Sequence, residues 1–153
     1  MDKPHITIRQ AVAADATTIR DFQKAMALET EEMTLNNDTV TRGVEAVFAD
    51  LAKGRYFVAE SDGTIVASLL ITYEWSDWRN SNVWWFQSVY VIPQFRRLGV
   101  FSMMYRFIKE EAGREGVAGL RLYVETSNTR AHLTYEAMGM SSSHYKMYEW
   151  LRD

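Results

Sequence analysis

An α/β (α+β) domain built on one mixed sheet with helices on both faces is the fold the sequence predicts. Three observations carry it. Alternating and helical hydrophobic patterns succeed one another in the order β-α-α-β-β-β-α-β-α-β. "RYFVAES" and "TIVASLLITYEW" flank Asp62-Gly63, a hairpin signal because both residues accept positive φ. The two prolines and eight glycines of the 153 residues fall at element ends, with no repeat or linker, which predicts a single domain, 1–153.

The elements follow in chain order. "HITIRQ" alternates and reads as a first strand. Asp15 is placed to cap a helix running to about Met33, with Ile19, Phe22 and Met26 at helical spacing. Asp38 is placed to cap a second helix, where Val40, Val44, Val47, Phe48 and Leu51 form one apolar stripe. The hairpin supplies strands two and three, and "NVWWFQSVYVI" supplies a fourth. Phe101, Met104, Ile108 and Ala112 mark the buried face of a third helix ending near Gly113–Gly116. "LRLYVET" reads as a fifth strand, and a fourth helix runs from about Asn128 to Met138, stopping at Gly139. The tail "MSSSHYKMYEWL" reads as one or two further strands, which brings the sheet to six or seven.

Composition narrows the function classes. An apolar fraction of 47% and a charged fraction of 24% are those of a soluble globular domain. A net charge of −3 argues against wrapping nucleic acid by bulk charge. The absence of cysteine removes disulfides, thiolate metal sites and cysteine nucleophiles, and fits a cytoplasmic setting. The N-terminal stretch lacks the apolar core of a signal peptide, and no run approaches membrane length, so no membrane partner is expected.

The chemistry concentrates in "PQFRRLGVFSMM", which lies between a strand and a helix. The first amides of a helix lack internal partners, and the helix dipole adds partial positive charge there. An anion at that spot would meet the amides of Leu98, Gly99, Val100, Phe101 and Ser102, with Arg96 and Arg97 adding full charges. Gly99 permits close backbone approach or a positive φ. Charge-assisted hydrogen bonds are worth roughly 1.5–3 kcal/mol each, enough together for a diphosphate. A solvated turn would carry the same residues. Neither G-x-x-x-x-G-K-[ST] nor G-x-G-x-x-G occurs, so the standard nucleotide and dinucleotide loops are not indicated.

"VYVIPQFRRLGVF" resembles the acyl-CoA signature R/Q-x-x-G-x-G/A of the GNAT superfamily of N-acetyltransferases, through Arg96, Gly99 and the position of Phe101. Phe101 replaces the usual small residue, so the helix is expected to shift slightly or the ring to turn into the core. "NTRAHLTYEAMGM" is similar to the family's N-x-x-A-x-x-x-Y-x-x-x-G-[FM] segment, with Asn128, Ala131, Tyr135, Gly139 and Met140 in register. The resemblance covers residues 5 to about 150. It implies a mostly antiparallel sheet whose fourth and fifth strands splay apart around acetyl-CoA, used as a co-substrate without a metal. It also implies that the backbone of Val89, Tyr90 and Val91 pairs with the pantetheine amides, that Arg96–Ser102 hold the diphosphate, and that Asn128 reaches the pantetheine side.

The implied reaction is direct acetyl transfer to a primary amine in a ternary complex. A lysine-like amine is protonated at neutral pH, and removing its proton costs roughly 4–5 kcal/mol. Tyr135 matches the family's general acid for the departing thiolate, whereas His132, one helical turn before it, reads as a solvated residue. Gln87 occupies the strand where relatives place a basic carboxylate, so Glu74 is the nearest candidate base, with Glu29, Glu31 and Glu32 a second group and water-mediated loss a third route. "LETEEM" and the tryptophans of "YEWSDWRNSNVWW" favour a cationic acceptor, small or peptidic, with Glu29, Glu32, Trp75, Trp85 and Gln87 as candidate contacts. The same tryptophans would suit a homodimer interface. The alternative is a catalytically weak acyl-CoA-binding regulatory or docking module; a nucleic-acid-binding domain is remote.

Overall fold

The fold comes from a computed structural model that describes residues 3–152. Residues 1, 2 and 153, the ends of the expected domain, lie outside the described residues. The chain divides into two compact units, one running to Arg121 and the other starting at Leu122.

The first unit holds a five-stranded mixed sheet. Strands β1 (Thr7–Gln10), β2 (Arg55–Ser61), β3 (Thr64–Ser76) and β4 (Ser81–Val91) are antiparallel neighbours, and β5 (Gly119–Arg121) runs parallel to β4. Helices α1 (Ala16–Glu31) and α2 (Asn37–Ala49) precede β2, and α3 (Val100–Arg114) joins β4 to β5. Alternation in β2 separates the faces. Tyr56 and Val58 pack with Ile19 of α1 and with Val44 and Val47 of α2, while Phe57 meets Phe107 of α3 edge-on. Ile19, Val58, Leu69, Ile71, Met104 and Ile108 are fully enclosed. Each such side chain contributes roughly 1.5–3 kcal/mol of burial free energy. Asp62 and Gly63 have φ of 49° and 77°, the two positive values that the hairpin signal required.

Helix ends depart from expectation in instructive ways. Asp15 precedes α1 but does not cap it: its carboxylate accepts from the Val12 amide and is gripped by Arg9, 2.8 Å from Nη1. Helix α1 stops at Glu31 because Glu32 turns left-handed, φ 51°, and the Met33 amide closes back on the Ala27 carbonyl. Asn36, two residues ahead of Asp38, caps α2 by accepting from Thr39 N. Leu51 falls beyond the end of α2 and is exposed.

The expectation of six to seven strands is corrected to five among the described residues. The apolar alternation of "LRLYVET" continues past Arg121, but β4 offers a parallel ladder only from Val83 to Trp85, so the strand ends there. The tail forms neither helix nor strand, and Tyr148 and Trp150 lie 90% and 83% exposed. A strand-like composition without a neighbouring ladder is not enough to make a strand. The second unit contains one helix, α4 (Thr129–Ala137), among its described residues.

Candidate active site

The site begins with a fault in β4. Gln87 faces Leu70 and Tyr90 faces Ser68, so Ser88 and Val89 together oppose the single residue Leu69. This is a β-bulge, and Ser88 takes φ 52° to make it. The extra residue resets the alternation. Phe86, opposite Ile71, turns to α3, where its ring lies 6.0 Å from Phe101 and 5.7 Å from Tyr105. Phe101 therefore directs its ring inward against the sheet, as its size demands. Gln87 and Tyr90 both turn to the opposite face, where the Tyr90 ring packs 5.1 Å from Phe22 of α1. Because β5 pairs only with Val83–Trp85, the outer edge of β4 from residue 86 to 91 has no strand partner among the described residues. Val89, Tyr90 and Val91 lie on that stretch.

The loop after β4 is built to present amides. Pro93–Phe95 make one tight 3-10 turn, Arg97 takes φ 65° and Gly99 takes φ 78°. Gly99 precedes the helix without a side chain capping it, and the Met103 amide, bonded to the Gly99 carbonyl, starts the ladder. A side chain at Gly99 would meet open space, so the requirement for glycine is conformational. The opening turn of α3 thus directs its amides and the positive end of its dipole along the loop. Leu98 is exposed beside it, while Val100 is buried against the core.

Two polar clusters occupy the α1/α2 face of the sheet. In the first, Glu29 near the end of α1 accepts from Tyr90 Oη (3.0 Å) and from Arg96 Nη2 (2.7 Å). The Arg96 guanidinium holds the Glu29 carboxyl below the usual range, helped by the Tyr90 hydroxyl. Burial and the nearby carboxylate push the Tyr90 phenol up. In the second, Glu74 Oε1 accepts from Trp85 Nε1 (2.7 Å) and from Arg121 Nη1 (2.8 Å), and these bonds hold its carboxyl low as well. Between the clusters, Gln87 Nε2 donates to Thr72 Oγ1 at 2.6 Å. Register explains the grouping: Thr72 and Glu74 stand opposite Trp85 and Val83, on the same pleat as Gln87. Trp75, one residue further, points to the opposite face and is 61% exposed. Glu32 is exposed at the end of α1. The structure therefore brings Glu29, Glu74, Trp85 and Gln87 to one face and leaves Trp75 off it.

Sequence reading passed over the Tyr90 hydroxyl, Thr72 and Arg121. The first two were recoverable from the β3–β4 pairing, had the bulge been known. Arg121 comes from a distant strand, and no local signal marks it.

In the second unit, Asn128 Oδ1 accepts from Ala131 N and so caps α4. Gly139, φ 89°, ends the helix, and the Met140 amide returns to the Tyr135 carbonyl. Burial pushes the Tyr135 phenol up, so it stays protonated at neutral pH. The His132 ring nitrogen Nε2 lies 3.2 Å from the Glu125 carbonyl oxygen. No group of three or more His, Asp or Glu residues that could hold a metal occurs among the described residues, and no described helix is long and apolar enough to cross a membrane.

Comparison with known proteins places these features in a family. The profile of the Acetyltransferase (GNAT) family matches residues 21–140. A possible acetyltransferase from Clostridium difficile 630 is 43% identical, with 97% of this chain and 98% of that one covered and a TM-score of 0.89. An aminoglycoside N-acetyltransferase in complex with CoA is 17% identical and shares the fold, with a TM-score of 0.79 over 99% of this chain and 98% of that one. The thialysine N-epsilon-acetyltransferase of Bos taurus is 32% identical over 75 residues, which span 49% of this chain and 44% of that protein.

Proposed function

The chain belongs to the acetyltransferase (GNAT) family, and from that membership we propose that it is an acetyl-CoA-dependent N-acetyltransferase acting on a primary amine of cationic character. One observation carries the reading: the bulged strand β4, open along its outer edge among the described residues, leads through the loop of residues 92–99 to a helix start with no side-chain cap. An extended pantetheine can pair with such an edge as an added strand, and a diphosphate suits the amides beyond it. The solved neighbour in complex with CoA and the name of the bovine relative support the cofactor and the class of acceptor. We take residues 1–153 to act as one acetyltransferase domain, cytoplasmic, and homodimeric through its exposed tryptophans.

Val89, Tyr90 and Val91 would hold the pantetheine by their backbone, and Asn128 would approach it from the start of α4. Leu98–Ser102 would hold the diphosphate by their amides, with Arg97 and Arg96 adding charge. When bound, acetyl-CoA supplies an activated carbonyl and a thiolate leaving group. Tyr135 Oη, kept protonated by burial, gives its proton to the departing sulfur. Glu29 and Glu74 make one wall of the acceptor site anionic, and the Trp85 ring, fixed by Glu74, gives the ammonium an aromatic face. Glu74 remains the candidate base, but the bonds from Trp85 and Arg121 make it a weak one until they open. The ammonium proton therefore passes to water, with Glu74 receiving it only when its pairing loosens.

The test is thiol release from acetyl-CoA across a panel of primary amines, for the parent and for Tyr135→Phe. The expected result is turnover with at least one diamine or lysine-like amine, and a loss of about 10²-fold or more in kcat for the variant with CoA binding retained. Parent-like turnover in Tyr135→Phe would remove the general acid. Binding of CoA with no turnover across the panel would leave the acyl-CoA-binding module.

A further inference from the structure

Arg96 and Arg97 are neighbours in sequence but not in state. Arg97 is exposed and has no ion pair among the described residues. Arg96 is held by three groups of α1 and β4. Its Nη2 donates to Glu29 Oε2 at 2.7 Å, its Nε donates to the Val91 carbonyl at 2.9 Å, and its guanidinium carbon lies 5.5 Å from the centre of the Tyr90 ring. Tyr90 Oη donates to the other oxygen of the same carboxylate. The guanidinium is a rigid fork, so donors aimed at Glu29 and Val91 cannot also face the mouth of α3. The arrangement occupies the cofactor's partners twice over. It withholds part of a phosphate-binding cation, and it fills the Val91 carbonyl that a pantetheine amide would use.

We propose that Glu29 is a positioning residue for the cofactor site: it holds Arg96 in a resting pose, and CoA binds by exchanging that carboxylate for its own diphosphate. This rests on reading Arg96–Ser102 as the diphosphate cradle. Arg97 and the α3 amides make the first contacts, because nothing has to be broken to use them. Arg96 then leaves Glu29, Val91 and Tyr90 together, since one side-chain rotation releases all three. The exchange opens the Val91 carbonyl to the pantetheine. It also leaves the Glu29 carboxylate beside the Tyr90 hydroxyl without its cation. The ion pair is half-exposed, 44% for Arg96 and 39% for Glu29, so it opposes binding only modestly.

A double-mutant cycle on CoA affinity tests this, by isothermal titration of the full chain at one ionic strength. The four proteins are the parent, Glu29→Gln, Arg96→Gln and the double variant. Glu29→Gln is expected to bind CoA about three- to tenfold more tightly, the scale of a partly exposed ion pair with an added hydrogen bond. Arg96→Gln is expected to bind more weakly, and adding Glu29→Gln to it should change little. Tightening that depends on Arg96 is a result that simple structural damage would not give. Glu29→Ala, which also removes the acceptor for Arg96, is expected to shift affinity in the same direction. Unchanged or weaker binding by Glu29→Gln overturns the exchange. So does equal tightening in both backgrounds, which would make Glu29 no more than a nearby negative charge. If Arg96→Gln binds like the parent, or the parent binds no CoA, the cradle itself is misread and the exchange falls with it.

Discussion

At the scale of single residues, Asp15 shows how one carboxylate can serve fold rather than function. It is buried, accepts from Val12 N, and is bridged by both terminal nitrogens of Arg9, whose Nε and Nη2 also reach Glu60. The cluster ties β1, the start of α1 and β2 together. Arg9 holds the Asp15 carboxyl below its ordinary value near 3.8. Protons therefore bind the unfolded chain more readily, so this contribution to stability is complete above that value and is lost as pH falls through the lowered one. Asp15→Asn is expected to cost about 1.5–3 kcal/mol at neutral pH, the scale of a hydrogen bond to a charged group. It is also expected to flatten the acid limb of the stability curve. Urea titrations at pH 7 and pH 3 check both, and an unchanged pH dependence would show that another group governs acid unfolding. Asp15 also marks a limit of local reading: an aspartate before a helical pattern looked like a cap, and a guanidinium six residues earlier took it elsewhere.

At the scale of elements, the loop from β4 to α3 suits the proposed cofactor site because it breaks the regularity on either side. Ser88, Arg97 and Gly99 all hold positive φ within twelve residues, a pose that costs Ser88 and Arg97 energy and that Gly99 adopts freely. Gly99→Ala meets no clash, so its effect isolates backbone conformation. The left-handed pose costs a residue with a side chain roughly 1–2 kcal/mol. We expect a stability loss of about 1 kcal/mol and CoA binding weaker by up to about tenfold, read by thermal melting and calorimetric titration. Binding equal to the parent would show that Gly99 is not needed for the cradle. The glycine and the arginines were visible in the sequence because turn chemistry is local. The bulge was not, since an extra residue in one strand is defined only against its partner. That single insertion puts Tyr90 on the face of Gln87 and Glu29 instead of on that of Phe86, and so creates the cluster that holds Arg96.

At the scale of the molecule, the alternation of patterns made the order of elements legible, and the two motifs made the family legible. The number of strands was not, because the tail and the end of "LRLYVET" have strand composition but no ladder to join. The register of β3 on β4, which collects Glu74, Trp85 and Gln87 on one face, is set by the turn between the two strands, since the bulge lies beyond Gln87. The central claim is that the open edge of β4 and the start of α3 form one continuous cofactor site. Hydrogen–deuterium exchange with and without acetyl-CoA measures both parts in one experiment. The account predicts protection of amides within Val89–Val91 and Leu98–Ser102, with β1 and β2 unchanged. Protection elsewhere in the chain, with both of these segments exchanging as in the free protein, would contradict it.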